Sequence, residues 1–150
     1  MVKLLYCIAL TVNDPSFNQI VKNKPSIDIH HAKRVAEYSR YWSYKYGIDY
    51  KVMNSIMMIE STYRLNITAK NDHGICQIND FNIKAYKFNK YKILNDLNYS
   101  IESGYKVLDW FYSRYKFDEA IMRYNCGTRR SCIKNKDVKK YLKNFYKYYK

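Results

Sequence analysis

Glu60 is the residue from which chemistry can first be argued. It follows Ile56, Met57, Met58 and Ile59, so its carboxyl group sits where a buried helix leaves the core, and desolvation there raises a carboxyl pKa. An acid that keeps its proton near neutral pH is what general acid catalysis requires. Glu60-Ser61 alone reads as readily as a surface glutamate closing a buried helix. Two later segments shift the balance. Gly74-Ile75-Cys76-Gln77-Ile78 is a glycine-led turn towards a glutamine, and Tyr124-Asn125-Cys126-Gly127 ends a helix on polar side chains. Both would give an acid something to face across a cleft.

Other chemistries find less support. His30, His31 and His73 form no recognisable set, and Cys7, Cys76, Cys126 and Cys132 contain no CxxC pair. A zinc site needs tighter spacing, so no metal and no cofactor is expected. Cys126 and Cys132 flank a short glycine-containing loop and could pair if the protein is exported; free thiols are the default expectation.

Several helices must position these groups. Ala32, Val35, Ala36, Ser39, Trp42 and Tyr46 recur at helical spacing before Gly47, which predicts a core-facing helix ending there. Asp49 offers an N-cap to a second helix, whose Val52, Met53, Ile56, Met57 and Ile59 leave little polar face, so it should be central and buried, with Glu60 and Ser61 at its C-terminal end. Residues 63–74, rich in Asn, Asp, Thr and Lys, read as an extended loop or short hairpin forming one wall of a cleft. Asp80 is expected to cap a brief helix. A longer helix is predicted over about 100–115, another is capped by Asp118, and a last one carries Val138, Tyr141, Leu142, Phe145 and Tyr149 against a lysine face. That face reads as a solvated surface. Residues 13–29, with Pro15 and Pro25, read as an irregular arm, so the chain divides into an N-terminal arm over 1–29 and one folded domain over 30–150. The apolar run from Leu4 to Val12 has the outline of a very short signal segment and reads equally as a buried strand or helix turn. No stretch is long enough to span a bilayer, so the expectation is a soluble or peripheral protein.

The composition sets the class of partner. With 150 residues, 47% hydrophobic and 17% aromatic, the chain suits one domain with a real core. Its 27 Lys and Arg against 13 acids give a formal charge of +14, which attracts an anionic polymer: nucleic acid, a membrane surface or a cell wall. The 18 tyrosines and four glycines match the composition of an AT-rich genome. A tyrosine-lysine stripe is therefore discounted as a binding signal.

Three segments, in order, resemble lytic transglycosylases of the soluble (SLT) type, the peptidoglycan-cleaving relatives of goose-type lysozyme. Glu60-Ser61 is similar to the family's Glu-Ser pair at a helix end. Gly74-Ile75-Cys76-Gln77-Ile78 resembles its Gly-Leu-Met-Gln-Ile turn, with Cys76 for Met, and Tyr124-Asn125-Cys126-Gly127 its Tyr-Asn-x-Gly segment. Between them, residues 96–108 are similar to the family's D-P-x-x-N-I-x-x-G helix start. Ile101 and Gly104 are kept there, while Leu97 and Ser100 depart from Pro and Asn. The resemblance covers residues 40–132.

This resemblance implies a mainly α, lysozyme-like fold of the α+β superfamily, with helices around a glycan-binding cleft and a short hairpin or loop wall. It implies that Glu60 is the catalytic acid and then base, giving a 1,6-anhydromuramic product without water. Gln77 would bind an N-acetyl group, Tyr124 would orient Glu60 or the sugar, and Ser61 and Asn125 would hold substrate or the cleft wall; local helix capping explains Ser61 and Asn125 about as well. The implied partners are peptidoglycan glycan strands and anionic wall polymers, with no specific nucleic acid. The site of action would be the wall, periplasmic or extracellular, for a secreted, virion-associated or lysis-released enzyme. A phage virion and a secretion machine are equally compatible hosts. Within the family the rival is hydrolysis, for which Asp72 and Asp80 lie in the right region to activate a water. Outside it, the rival is a non-enzymatic basic module binding wall polymers or nucleic acid, which the charge supports.

Overall fold

The computed structural model describes residues 13–150. The expectation of a short signal segment falls outside them. Eight α-helices and a small sheet occur among the described residues, and the mainly α architecture agrees with the expected class.

Helix α1, Pro15–Asn23, corrects the reading of residues 13–29 as an irregular arm. Asp14 accepts hydrogen bonds from the backbone amides of Ser16 and Phe17, and Pro15 takes the first-turn position that needs no amide donor. Ile20 is fully buried in the main core. Gln19 donates to the carbonyls of Lys51 and Tyr148 at 3.3 and 3.1 Å, and buried Asn54 donates to Ser16 Oγ and Gln19 Oε1 at 3.0 and 2.9 Å. The segment is thus clamped to the core by both apolar and polar contacts.

Helix α2, Ile29–Tyr46, is capped by Asp28 and ended by Gly47 at φ 65°, as its pattern predicts. Helix α3, Tyr50–Ser61, starts from Asp49, whose side chain accepts from Lys51 N, and buries Val52 to Met57 without a break. It is the central helix. Beyond it, β1 (Thr68–Ala69), β2 (Asp72–His73) and β3 (Ile78–Asn79) form an antiparallel sheet in the order β1-β2-β3. Asp72 pairs with Asn79, and His73 with Ile78.

Helices α4 (Asp80–Tyr86) and α5 (Lys90–Asn95) lead to α6 (Leu97–Tyr112), which packs on α2, α5 and α7. The cap of α4 is Asn79, not Asp80: its side chain accepts from Asn82 N at 2.8 Å, and Asp80 becomes the first helical residue. Helix α7, Phe117–Cys126, starts before Asp118 with Lys116 as a cap that makes no side-chain bond. The chain enters early because Phe117 packs on the rings of Phe145 and Tyr149. Asp118 instead accepts a hydrogen bond from Tyr146 Oη. After a 3₁₀ turn at Cys132–Lys134, α8 (Lys136–Tyr149) returns across α3 and α7. Cys126 and Cys132 are joined by a disulfide, so the default expectation of free thiols is corrected; buried Cys76 is the free cysteine among the described residues.

Candidate active site

The end of α3 is where the site begins. Thr62 and Tyr63 both take left-handed conformations, at φ 51° and 62°, which turns the chain out of the helix directly after Glu60-Ser61. Such backbone costs non-glycine residues about 1–2 kcal/mol each. The surroundings hold it: Tyr63 is 1% exposed and the Arg64 guanidinium donates to Ser61 O at 2.9 Å.

Ser61 is itself 1% exposed and donates to the carbonyls of Ile75 and Met57 at 2.7 and 3.1 Å. Of its two expected roles, direct substrate contact is corrected by this burial, and Ser61 belongs to the wall. Tyr124 does the same from the other side, its hydroxyl donating to Cys76 O at 2.9 Å. Two hydroxyls from α3 and α7 therefore grip consecutive carbonyls of the turn that presents Gln77. The turn is further fixed by Gly74 at φ 77°, where a Cβ would lie 2.6 Å from both Ile93 O and Ser100 Oγ. Gln77 sits at φ 49° with Nε2 donating back to Gly74 O at 2.8 Å. Beneath it, Cys76 Sγ rests against Met53 and Gly104, and a Cβ on Gly104 would come within 2.5 Å of that sulfur.

Glu60, Asp72, Gln77, Asn79, Tyr124 and Asn125 line one small polar pocket of about 40 Å³. The pleat of the sheet explains the membership of two of them. Paired residues project to the same face: His73 and Ile78 are buried, Ile78 still bordering the pocket, while their neighbours Asp72 and Asn79 are more exposed and line it together. Asp80 is not brought there. Its half-exposed carboxylate accepts from His73 Nε2 at 2.9 Å and Lys90 Nζ at 3.0 Å, and these two partners lower its pKa. The expectation that Asp80 could serve as a second carboxylate is therefore corrected, whereas Asp72 shares the pocket with Glu60.

Burial pushes the Glu60 carboxyl up to about 7. A hydrogen bond from Tyr141 Oη to Glu60 Oε1, at 2.7 Å, works in the opposite direction by favouring the carboxylate, and the charge of Asp72 adds to the upward shift. Burial also raises the pKa of Asp72. Glu60 is thus poised to give up and retake a proton near neutrality. Its hydrogen-bond partner is Tyr141 of α8, 81 residues away in sequence, and not Tyr124, whose hydroxyl is committed to the Cys76 carbonyl. Sequence reasoning placed Tyr141 only in the apolar set of its helix. The usable signal is that a tyrosine at a buried position needs a partner for its hydroxyl.

An acid with a raised pKa at a helix end, a turn gripped to present a glutamine and a Tyr-Asn pair opposite occur together within a matching stretch of sequence. A family model for the transglycosylase SLT domain matches residues 37–149. The chain belongs to the transglycosylase SLT family. No curated protein and no solved structure gives a significant match to it. The SLT match begins within α2 and runs to the end of α8, so it includes Tyr141 as well as Glu60, Gln77 and Tyr124. Among the described residues of this SLT domain, no three His, Cys, Asp or Glu side chains gather in a way that could hold a metal ion, and no helix is long and apolar enough to cross a membrane.

Proposed function

We propose that the protein cleaves the β-1,4 bond between N-acetylmuramic acid and N-acetylglucosamine in peptidoglycan and leaves 1,6-anhydromuramic ends. The reading is carried by Glu60, a carboxyl pushed up to about 7 at the floor of a polar pocket. Glu60 gives its proton to the glycosidic oxygen as the bond from muramoyl C1 to that oxygen breaks, and the N-acetylglucosamine leaves with a free 4-hydroxyl. The resulting carboxylate then takes the proton of the muramoyl 6-hydroxyl, whose oxygen closes on C1. The acid is restored and no water is consumed. Tyr141 holds the Glu60 carboxyl in orientation and steadies it as the carboxylate. Gln77 offers its carbonyl oxygen to an N-acetyl group, since its Nε2 is engaged by Gly74, and exposed Asn125 contacts the sugar. Attraction of the basic chain to the wall supports action outside the cytoplasm, by a secreted, virion-associated or lysis-released enzyme.

Asp72 favours a second reading. Its carboxyl group lines the same pocket as Glu60, and a positioned carboxylate there would activate water and make the enzyme a hydrolase. Mass spectrometry of a complete digest separates the two. Anhydro products weigh one water less and resist borohydride; reducible products would establish hydrolysis, and Asp72→Asn would then abolish it. Under the favoured reading Asp72→Asn leaves the product anhydro.

A further inference from the structure

A second, larger cavity of about 690 Å³ opens off the Glu60 pocket. The two share Asn79, Asn82, Val107 and Tyr124 in their walls, so a substrate bound at Glu60 lies next to it. Its walls are mainly apolar, built from Tyr86 of α4, Trp110 and Phe111 of α6 and the loop closed by the Cys126–Cys132 disulfide. The charged residues in the lining are two arginines, with no acid among them. Arg123 is already used: it donates to Glu119 and to Gly127 O, and its guanidinium lies over the Tyr115 ring. Arg129 is exposed; its carbonyl accepts from Cys132 N at 3.1 Å, while its guanidinium makes neither an ion pair nor a hydrogen bond.

An uncharged sugar would find hydrogen-bond partners in Asn79, Asn82 and Thr128 of the lining, but it brings no charge for Arg129 and little to cover Phe111 and Val107. The peptide stem that branches from the muramoyl lactyl group fits better. It presents alanine methyls and methylene chain to apolar walls, and free carboxylates that a guanidinium pairs in bidentate geometry. Resting on the reading of the chain as a peptidoglycan-cleaving enzyme, we infer that this cavity receives the acidic peptide stem of the substrate, with Arg129 pairing one of its carboxylates. The enzyme therefore discriminates stem-bearing strands from bare glycan.

Kinetics on two substrates test this: strands with intact stems, and the same strands after an amidase has removed them. Arg129→Glu should lower the ratio of kcat/KM for stem-bearing over bare strands by about tenfold, the loss of one charge-assisted contact, mainly through KM. A ratio within about threefold of the parent's overturns the inference. A separate binding measurement distinguishes this failure from failure of the catalytic reading. The free stem tripeptide, titrated at millimolar concentration into the Glu60→Gln protein, should shift the indole resonance of Trp110 and leave that of Trp42, which bonds Asn98 outside the cavity. Arg129→Glu should abolish the shift. Binding without any cleavage by the parent sinks only the catalytic reading, and absence of the shift sinks the stem site.

Discussion

At Glu60 the burial that makes a carboxyl useful as an acid also costs stability once it ionises. Its folded-state pKa of about 7 lies above the ordinary 4.5, so the folded protein holds this proton more tightly than the unfolded chain. The associated stabilisation is full below about 4.5 and is lost as pH rises through about 7. Above that pH the ionised group costs on the order of 3 kcal/mol. Glu60→Gln, nearly isosteric and never charged, should therefore be the more stable protein at pH 8 and about equal to the parent at pH 4, as read from urea unfolding at the two pH values. An equal gap at both would mean that Glu60 is not the buried acid. The same variant should lose at least about a hundredfold in rate on purified peptidoglycan, the lower range of general acid-base catalysis. Tyr141→Phe gives a sharper test, because it keeps the ring and removes only the donor. The hydroxyl lowers the Glu60 pKa, so its loss should move the alkaline limb of kcat/KM upward in pH while slowing turnover. A fall in rate with the limb unmoved would leave Tyr141 a packing residue only. The sequence signals only that a buried tyrosine hydroxyl needs some partner; which of 18 tyrosines meets Glu60, and from where, is not legible in it.

Among the elements, the contact between the Gly74–Gln77 turn and α6 is the tightest, and it places Gln77. Gly104 leaves room for Cys76 Sγ where a methyl would lie 2.5 Å away. Gly104→Ala should cost about 1–3 kcal/mol by overpacking and lower activity further by pushing the turn towards the pocket. Adding Cys76→Ala should recover part of both losses. Thermal unfolding and rate measurements on the three variants form a double-mutant cycle, and additive losses would place the strain elsewhere. Elements with strong boundary residues were readable: Gly47 and Asp49 mark the junction of α2 and α3 because one takes a left-handed conformation and the other accepts the first free amide. The Glu-Ser, Gly-to-Gln and Tyr-Asn segments were readable as a set for a related reason, since each ends or begins an element. Helix α1 was missed because Pro15 and its polar neighbours suggest a linker when counted by type. Read by position, Asp14-Pro15 is a helix start, and Phe17, Ile20 and Val21 follow at helical spacing. What holds α1 is the tertiary network through Gln19 and Asn54, which no local pattern announces. The start of α7 was misplaced at Asp118 for a like reason: packing of Phe117 against α8 outweighs the preference for a capping side chain.

Taken whole, the molecule sets one small polar pocket in a highly charged body. Its formal charge of +14 is not concentrated at the Glu60 pocket, which is lined by two carboxyl groups and no lysine or arginine. The lysines of α8 are the clearest case of charge set elsewhere. Lys136, Lys139, Lys140, Lys143 and Lys147 are exposed, while Val138, Tyr141 and Phe145 turn inward on the same helix. Under the proposed function such a cationic surface would act on encounter and retention, drawing the protein to an anionic wall and keeping it there between cleavages. Ions screen this over about 10 Å at 0.1 M and about 3 Å at 1 M. Activity on intact walls should therefore fall steeply as salt rises across that range. Short uncharged chito-oligosaccharides, which offer the pocket a sugar and the surface nothing, should be cleaved at rates that depend far less on salt. The comparison is made with one enzyme preparation and both substrates over the same salt series, with circular dichroism to verify that the fold persists. Equal salt dependence on the two substrates would place the effect in the site itself and remove the surface charge from the account of how the enzyme finds its wall.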